Sequence, residues 1–258
     1  MKEKLLEIKN VYKTFKISKK QQKILNIPTA KVVAVNDVSV DIYKGEVFCL
    51  LGTNGAGKTT MLRMIASLIK PDQGKINIKE NIEKDVKNIG FLTTELKLDG
   101  FFTPNYLFDF FGKLYHIDSN ELLQRRKILF ELLEIDKFAE VKLKNLSTGM
   151  KQKVSIAVSL VHNPDIIILD EPTNGLDIVT TREVIKFIKM LKEEGKSIIL
   201  STHIFDVVDK LADRVGVMVE GKMICCEAYE EFIRGMNTEE KFFKLYYGVK
   251  GVKENELE

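Results

Sequence analysis

The chain has 258 residues, 45% hydrophobic and 30% charged, so a folded core is expected and disorder is not. Its 40 basic residues nearly balance 37 acidic ones, and a net charge of +3 does not favour a nucleic-acid-binding protein. The three cysteines have no metal-ligand spacing and favour a reducing, cytoplasmic compartment. Neither a signal peptide nor a run of about 18 apolar residues occurs, so we expect membrane contact only through a partner.

The N-terminal part of the chain is rich in predicted strands. Alternating apolar residues predict strands over residues 5–15 and 32–42, and an almost continuous apolar run predicts a buried strand over residues 46–51. Residues 15–31 are rich in Lys and Gln, and we expect a loop or a short exposed element there.

A glycine-rich motif follows the buried strand and precedes a helix predicted over residues 59–69. Its residues match G-x-x-x-x-G-K-[ST] in full: Gly52, Thr53, Asn54, Gly55, Ala56, Gly57, Lys58 and Thr59. The glycines let successive amides point at a phosphate, and the helix N-terminus adds positive potential. We expect Lys58 at the β- and γ-phosphates of a nucleoside triphosphate, Thr59 on Mg²⁺ and Thr60 near the α-phosphate. A glycine-rich turn that merely contains lysine is the alternative.

The middle of the chain is predicted to be helical. Helices are expected over residues 106–111, 121–135 and 151–162, which together suggest a helical insertion of roughly residues 96–162. An apolar run over residues 165–170 follows, and it is typical of a central strand in a parallel sheet.

Two adjacent carboxylates end that apolar run. Successive strand residues point to opposite sides, so Asp170 and Glu171 are expected to have different roles. We predict that Asp170 holds Mg²⁺ through water and that Glu171 is the general base for an attacking water. The alternative is a solvated strand end with a turn at Pro172.

Strands and helices continue to alternate toward the C-terminus, which predicts an α/β fold with a mainly parallel sheet. Helices are expected over residues 180–194 and 205–212, a buried strand over residues 197–202, and a hairpin over residues 215–226. Residues 248–258 are charged and are expected to be loose.

The order of the motifs resembles that of ABC (ATP-binding cassette) nucleotide-binding subunits over roughly residues 5–230. Residues 146–150, Leu-Ser-Thr-Gly-Met, resemble the ABC signature, and residues 174–177, Asn-Gly-Leu-Asp, resemble the D-loop. Residues 201–203, Ser-Thr-His, resemble the switch-histidine segment. The resemblance implies a P-loop NTPase (RecA-like) parallel-sheet core with an antiparallel β subdomain and an inserted α-helical subdomain. It also implies one ATP-binding domain over residues 1–230, followed by a short C-terminal extension over residues 231–258.

The family's working model implies roles for individual residues, with ATP and Mg²⁺ as cofactors. Ser147 and Gly149 would contact the γ-phosphate of ATP held by another protomer, so two chains, as a homodimer or a heterodimer with a related cassette, would complete each site. Asp177 would bridge the dimer interface, and His203 would contact the γ-phosphate and hold the attacking water.

Two further assignments are less specific. Phe15 matches the aromatic position that stacks on adenine, with Tyr12 as a competitor and an ordinary half-buried strand aromatic as the alternative. The family often has glutamine where this chain has Thr94; the next residue, Glu95, is a candidate Mg²⁺ ligand or only a solvated acid. The signature also departs from LSGGQ, with Thr148 and Met150 in place of Gly and Gln.

Residues 90–111 and the signature resemble the NatA-type branch, whose members pair with separate transmembrane permease subunits and include sodium exporters. The resemblance therefore implies a cytoplasmic, peripheral subunit that powers transport. Aromatic residues over 101–111 cluster where the family docks its membrane subunit, and core packing is the alternative. A soluble ABC-type ATPase acting in translation or DNA maintenance is the competing function, but such proteins usually carry tandem cassettes or a long coiled coil.

Overall fold

The computed structural model describes residues 3–25, 30–78, 88–93 and 98–251. The chain forms two compact units. We call them the phosphate-loop unit, Met1–Glu80 with Ser201–Glu258, and the signature unit, Asn81–Leu200. Within the described ranges, no helix has both the length and the apolar character needed to cross a bilayer.

Nine strands occur in the described residues. They are β1 (Lys4–Lys16), β2 (Lys31–Tyr43), β3 (Val47–Leu51), β4 (Gln73–Ile78), β5 (Ile89–Leu92), β6 (Ile166–Asp170), β7 (Ser197–Thr202), β8 (Arg214–Val219) and β9 (Lys222–Ala228).

Nine α-helices occur in the same residues. They are α1 (Lys19–Leu25), α2 (Lys58–Ile65), α3 (Pro104–Leu114), α4 (Ser119–Leu132), α5 (Thr148–Ser159), α6 (Ile178–Glu193), α7 (Phe205–Leu211), α8 (Tyr229–Phe232) and α9 (Thr238–Lys250). Two short 3₁₀ helices, Asp136–Phe138 and Leu143–Asn145, precede α5.

The phosphate-loop unit contains an antiparallel sheet in the order β2-β1-β4. Leu6, Ile8 and Val11 of β1 are buried in its core. In the same unit β3 pairs in parallel with β8, and β9 returns antiparallel to β8 as the predicted hairpin. All five residues of β3 are buried, which explains its continuous apolar sequence.

In this unit one sequence prediction is confirmed and two boundaries differ from the predictions. The short helix α1 occupies part of residues 15–31, so the exposed-element alternative is confirmed there. Helix α2 ends at Ile65 and not at residue 69, because Ser67 adopts a left-handed backbone conformation with φ 58°. The expectation of a loose tail from residue 248 is wrong for its first residues: α9 continues to Lys250, and Gly251 caps it at φ 68°.

In the signature unit β5 pairs in parallel with β6, and β7 is the next strand in the sheet. Side-chain caps fix where its helices begin. Thr103 accepts from the Tyr106 amide at the start of α3, and Asp118 accepts from two amides at the start of α4. The two helices pack through Phe108 and Phe130, whose ring centroids lie 5.4 Å apart.

Candidate nucleotide-binding and hydrolysis site

The phosphate loop joins β3 to α2, and close backbone contacts account for two of its glycines. The Gly52 amide donates to the carbonyl of Thr202 at 3.3 Å, and a Cβ at Gly52 would lie 2.5 Å from the carbonyl oxygen of Met218. Gly57 has φ +100°, and a Cβ there would overlap the carbonyl oxygen of Ala34. Any larger residue at either position would displace the loop.

Lys58 lies within the curve of this loop. Its ammonium donates to the carbonyls of Gly52 at 2.7 Å and Thr53 at 3.2 Å, and only 5% of the residue is exposed. Thr59 and Thr60 follow on the first turn of α2 and are half-buried. Backbone amides, one ammonium and two hydroxyls are the donor set that a triphosphate with Mg²⁺ requires, so the residues present fit that ligand.

The tip of the loop is open to solvent. Asn54 and Gly55 are exposed, whereas Ala56 is buried and its amide donates to Thr53 at 3.2 Å. The Ala56 carbonyl accepts from the amide of Gly221, in the turn between β8 and β9, at 3.0 Å. The turn between β8 and β9 therefore supports the loop at Ala56, while the tip of the loop is open to solvent.

His203 follows the buried residues Ser201 and Thr202 at the end of β7 and is half-buried. The Thr202 hydroxyl accepts from the Ile204 amide at 3.0 Å and shapes the turn into α7. Because the Thr202 carbonyl also accepts from the Gly52 amide, the switch segment and the phosphate loop share a direct backbone hydrogen bond.

The acidic strand end lies in the signature unit. Asp170 is 1% exposed at the end of β6. Glu171 adopts a left-handed conformation with φ 51°, and its carbonyl accepts from the Asn174 amide at 3.1 Å. A non-glycine residue at positive φ is uncommon and is enriched at functional sites, because the surrounding structure must enforce it.

The signature residues start α5 of the same unit. Ser147 is the exposed N-cap, and its hydroxyl accepts from the Met150 amide at 3.2 Å. Gly149 is buried, and a Cβ there would lie 2.9 Å from both the methyl and the hydroxyl of Thr180. The helix therefore begins at Thr148, three residues before the predicted start, because the serine side chain caps it.

The D-loop aspartate has a similar capping role. Asp177 is the N-cap of α6 and accepts from the amides of Val179 and Thr180 and from the Thr180 hydroxyl, at 2.9, 3.0 and 2.6 Å. The hydroxyl of Thr180 is the main cause of the lowered pKa of the Asp177 carboxyl. Ile178 and Val179 beside it are 89% and 66% exposed, an apolar surface suited to an interface.

Sequence reasoning missed contacts that support these residues. Gln152 donates to the carbonyl of Pro172 at 2.9 Å, which connects the signature helix to the turn after the acidic strand. Lys153 is buried and pairs with Glu183 of α6 at 2.7 Å. Thr180 also contacts Gly149, but only its position in space shows this, because nothing in the local sequence indicates it.

The remaining predicted residues fall into two groups. Phe15 is 40% exposed with the ammonium of Lys13 5.8 Å from its ring centroid, whereas Tyr12 is half-buried, so Phe15 has the more accessible ring. Thr94 and Glu95 lie outside the described residues. Among the residues that are described, no cluster of three or more His, Cys, Asp or Glu side chains could hold a metal by itself.

Comparison with known proteins decides the family. The family model described as "ABC transporter" matches residues 35–174, and NatA of Bacillus subtilis, an ABC transporter ATP-binding protein, is 41% identical over 215 residues, covering 81% of this chain and 87% of NatA. The chain belongs to the ABC transporter ATP-binding family. It is therefore an ATP-binding ATPase subunit with the P-loop NTPase fold.

Other relatives of this ABC ATPase agree. An uncharacterized ABC transporter ATP-binding protein of Methanocaldococcus jannaschii is 39% identical over 202 residues, covering 78% of this chain and 74% of the relative. A solved dimeric ATP-binding cassette in a post-hydrolysis state, bound to ADP and phosphate, has a TM-score of 0.73 at 28% identity. That comparison covers 87% of this chain and 98% of the cassette.

The departures of this ABC ATPase from the usual signature leave the geometry of the helix start in place. Thr148 is exposed on the first turn, and Met150 takes part through its backbone amide, which donates to the Ser147 cap. Any side chain at these two positions supplies the same backbone amides, so neither substitution removes a donor from the N-terminus of α5.

Proposed function

We propose that two copies of the chain bind two ATP–Mg²⁺ between them, head to tail, and hydrolyse ATP to power transport through separate transmembrane subunits. The observation that carries the proposal is the exposed start of α5, where Ser147, the N-cap, and Thr148, the first helical residue, are open to solvent. A helix N-terminus presented in this way suits an anion supplied from outside the unit.

Each protomer supplies distinct chemistry in this scheme. Lys58 neutralises charge on the β- and γ-phosphates. Thr59 and Asp170 would hold Mg²⁺, which when bound would offset the phosphate charge. Glu171 accepts the proton of the attacking water, and His203 fixes the γ-phosphate and that water in line. The assignment of Glu95 to the metal stays a prediction.

The partner's contribution comes from the signature and the D-loop. Ser147 and the Gly149 amide would contact the γ-phosphate, and Asp177 would lie at the dimer interface beside Ile178 and Val179. The dimeric cassette of similar fold, bound to ADP and phosphate, supports this arrangement. ATP would join the two chains, and loss of the γ-phosphate contacts after hydrolysis would favour their separation.

The proposed partner of the signature unit is a transmembrane permease at the cytoplasmic membrane face. Phe101, Tyr106 and Phe110 are 68%, 49% and 49% exposed, and we call these three rings the aromatic face. Tyr106 stacks on Phe102 with ring centroids 4.4 Å apart, which orients its ring, while Phe108 of the same helix is buried in the core. Exposed apolar rings held in place suit a protein partner.

The direction and cargo of transport are part of the same proposal. The resemblance to the NatA-type branch supports export, with Na⁺ as one candidate cargo, and the identity to NatA supports that placement. We further propose that residues 1–230 act as the ATP-binding domain, with the helical insertion at roughly residues 96–162 and the C-terminal extension at residues 231–258.

Replacing the general base tests the catalytic assignment. Glu171→Gln keeps the shape and polarity of the side chain but removes its basicity, so turnover should fall about a hundredfold or more while ATP binding persists. Because ATP is then retained, light scattering during gel filtration with ATP and Mg²⁺ should show a stable dimer.

The matched control is Glu193→Gln, at an exposed position near the end of α6, which should behave as wild type. Wild-type turnover in the Glu171→Gln variant would remove Glu171 from the base role. A monomer at saturating ATP would contradict the dimer.

A further inference from the structure

The helix that follows the switch histidine has little stability of its own. Helix α7 contains seven residues, and its N-cap, Ile204, makes no side-chain capping hydrogen bond. Isolated helices of this length are not stable in water, so the position of α7 depends on packing. Its inward side is buried through Val207, Val208 and Leu211.

The outward side of α7 packs against α9, the C-terminal helix. The ring of Phe205, the first residue of α7, lies 5.5 Å from the ring of Phe242 and 6.0 Å from the ring of Phe243. Phe242 is buried, so this is a core contact. Edge and tilted aromatic pairs at these separations are attractive and geometrically specific.

A second contact holds the same face of α7 one turn later. The carboxylate of Asp209 accepts from the Tyr229 hydroxyl at 3.0 Å and from the hydroxyl of Thr238, the first residue of α9. Thr238 is buried. Phe205 and Asp209 are four residues apart and therefore lie on one helix face, so α9 contacts both turns of α7.

Helix α9 is itself fixed at both ends. Its first turn carries a complete capping box. At its other end the Lys250 ammonium pairs with Glu220, in the turn between β8 and β9. The neighbouring Gly221 amide donates to the carbonyl of Ala56 in the phosphate loop at 3.0 Å. One helix therefore contacts both the switch helix and the turn that supports the phosphate loop.

We infer that α9 is a positioning element of the ATPase, and that Phe205 and Asp209 are positioning residues which act through His203. Because α9 holds α7 in place, it also fixes the backbone at His203, two residues before α7, and with it the direction of the imidazole. This inference rests on the proposed role of His203 at the γ-phosphate. Hydrolysis requires near-attack geometry, whereas ATP binding depends on the phosphate loop, so loosening α7 lowers turnover and leaves nucleotide affinity unchanged.

The test compares variants of the full chain that remove or keep the contact. Asp209→Ala should lower turnover about tenfold, with the dissociation constant of a fluorescent ATP analogue unchanged within about twofold. Asp209→Asn keeps an acceptor oxygen and should recover most of the turnover. Circular dichroism at the assay temperature verifies that each protein is folded; if Asp209→Ala does not fold, Thr238→Val and Thr238→Ser form the equivalent pair.

A double-mutant cycle shows whether the effect passes through the histidine. In a His203→Ala background, single-turnover phosphate release should not fall further when Asp209→Ala is added, because the group being positioned is gone. Equal losses in both backgrounds would overturn the inference, as would unchanged turnover in a folded Asp209→Ala variant. Unchanged turnover in His203→Ala alone would instead refute the proposed role of His203 and with it the basis of this inference.

Discussion

The phosphate loop and the signature both end at a helix N-terminus, but their surroundings differ. Lys58 is buried and donates to carbonyls of its own loop, and Gly52 and Gly57 are fixed by the adjacent backbone. Ser147 is exposed and caps its own helix, whereas Gly149 is packed against a neighbour, Thr180. The residues of the phosphate loop are therefore held by neighbours in their own unit, whereas Ser147 at the start of α5 is open to solvent.

From this difference we expect the phosphate loop to determine ATP binding and the signature to determine turnover. A triphosphate at the phosphate loop would meet amides and a cation that are already in position, so we expect a single chain to bind it. At the exposed start of α5 we expect weak binding of a free anion and a stronger interaction with a nucleotide that another chain holds. Variants at the two ends should therefore affect different measurements.

The largest effect is expected at Lys58. Lys58→Ala removes the buried cation from the loop, and the loss of its charge-assisted hydrogen bonds should weaken ATP binding on the order of tenfold to a hundredfold. Titration of a fluorescent nucleotide into the monomeric chain measures this. Lys70→Ala, at an exposed position beyond α2, is the matched control. Unaltered affinity in Lys58→Ala would contradict the phosphate-loop assignment.

A smaller effect, on a different quantity, is expected at Gly149. The Cβ of Gly149→Ala would lie 2.9 Å from Thr180, so the start of α5 must shift, and turnover should fall about tenfold while monomer affinity for ATP is retained. Gly248→Ala is the control, because no atom lies within 4 Å of a Cβ there. If Gly149→Ala weakened nucleotide binding to the monomer, this would contradict the claim that the phosphate loop determines ATP binding and the signature determines turnover.

The parts of the site that were predictable are those where local chemistry dictates residue type. At position 57 any side chain would overlap the carbonyl of Ala34, so only glycine fits there. The glycines of the motif therefore predict the tight course of the loop backbone. The start of α5 was misplaced because Ser147 was assigned to phosphate and not also to its helix cap. The charge of residues 248–258 predicts a loose tail, but the helix that begins at Thr238 continues to Lys250, and Phe242 and Tyr246 lie on one face of it.

Other features depend on the tertiary structure and have no counterpart in the local sequence. The left-handed backbone of Glu171 is imposed by the turn after β6, and glutamate shows no preference for it. The contacts of Thr180 with Gly149 and of Phe205 with α9 join residues far apart in the chain. A single sequence contains no pattern from which such pairs can be recognised.

The smallest effect on the isolated chain is expected at the aromatic face, which belongs neither to the phosphate loop nor to the signature. Phe110→Ser should leave ATP affinity and basal turnover unchanged, because the ring is half exposed and its aromatic contacts are with Tyr106 and Phe111, neither of which is assigned to ATP. Co-purification with a transmembrane partner should be reduced, since an apolar anchor is lost. Leu123→Ser, at another exposed apolar position, is the control. Undiminished co-purification would place the partner elsewhere.

Mixing two impaired variants tests the shared site most directly. A Lys58→Ala chain has an impaired phosphate loop and a Gly149→Ala chain has an impaired signature, so a mixed head-to-tail dimer contains one intact pair of ends. Equimolar mixing should restore about a quarter of wild-type turnover, from random pairing in a two-fold dimer. Turnover no higher than the mean of the two separate variants would contradict the claim that each chain completes the other's site.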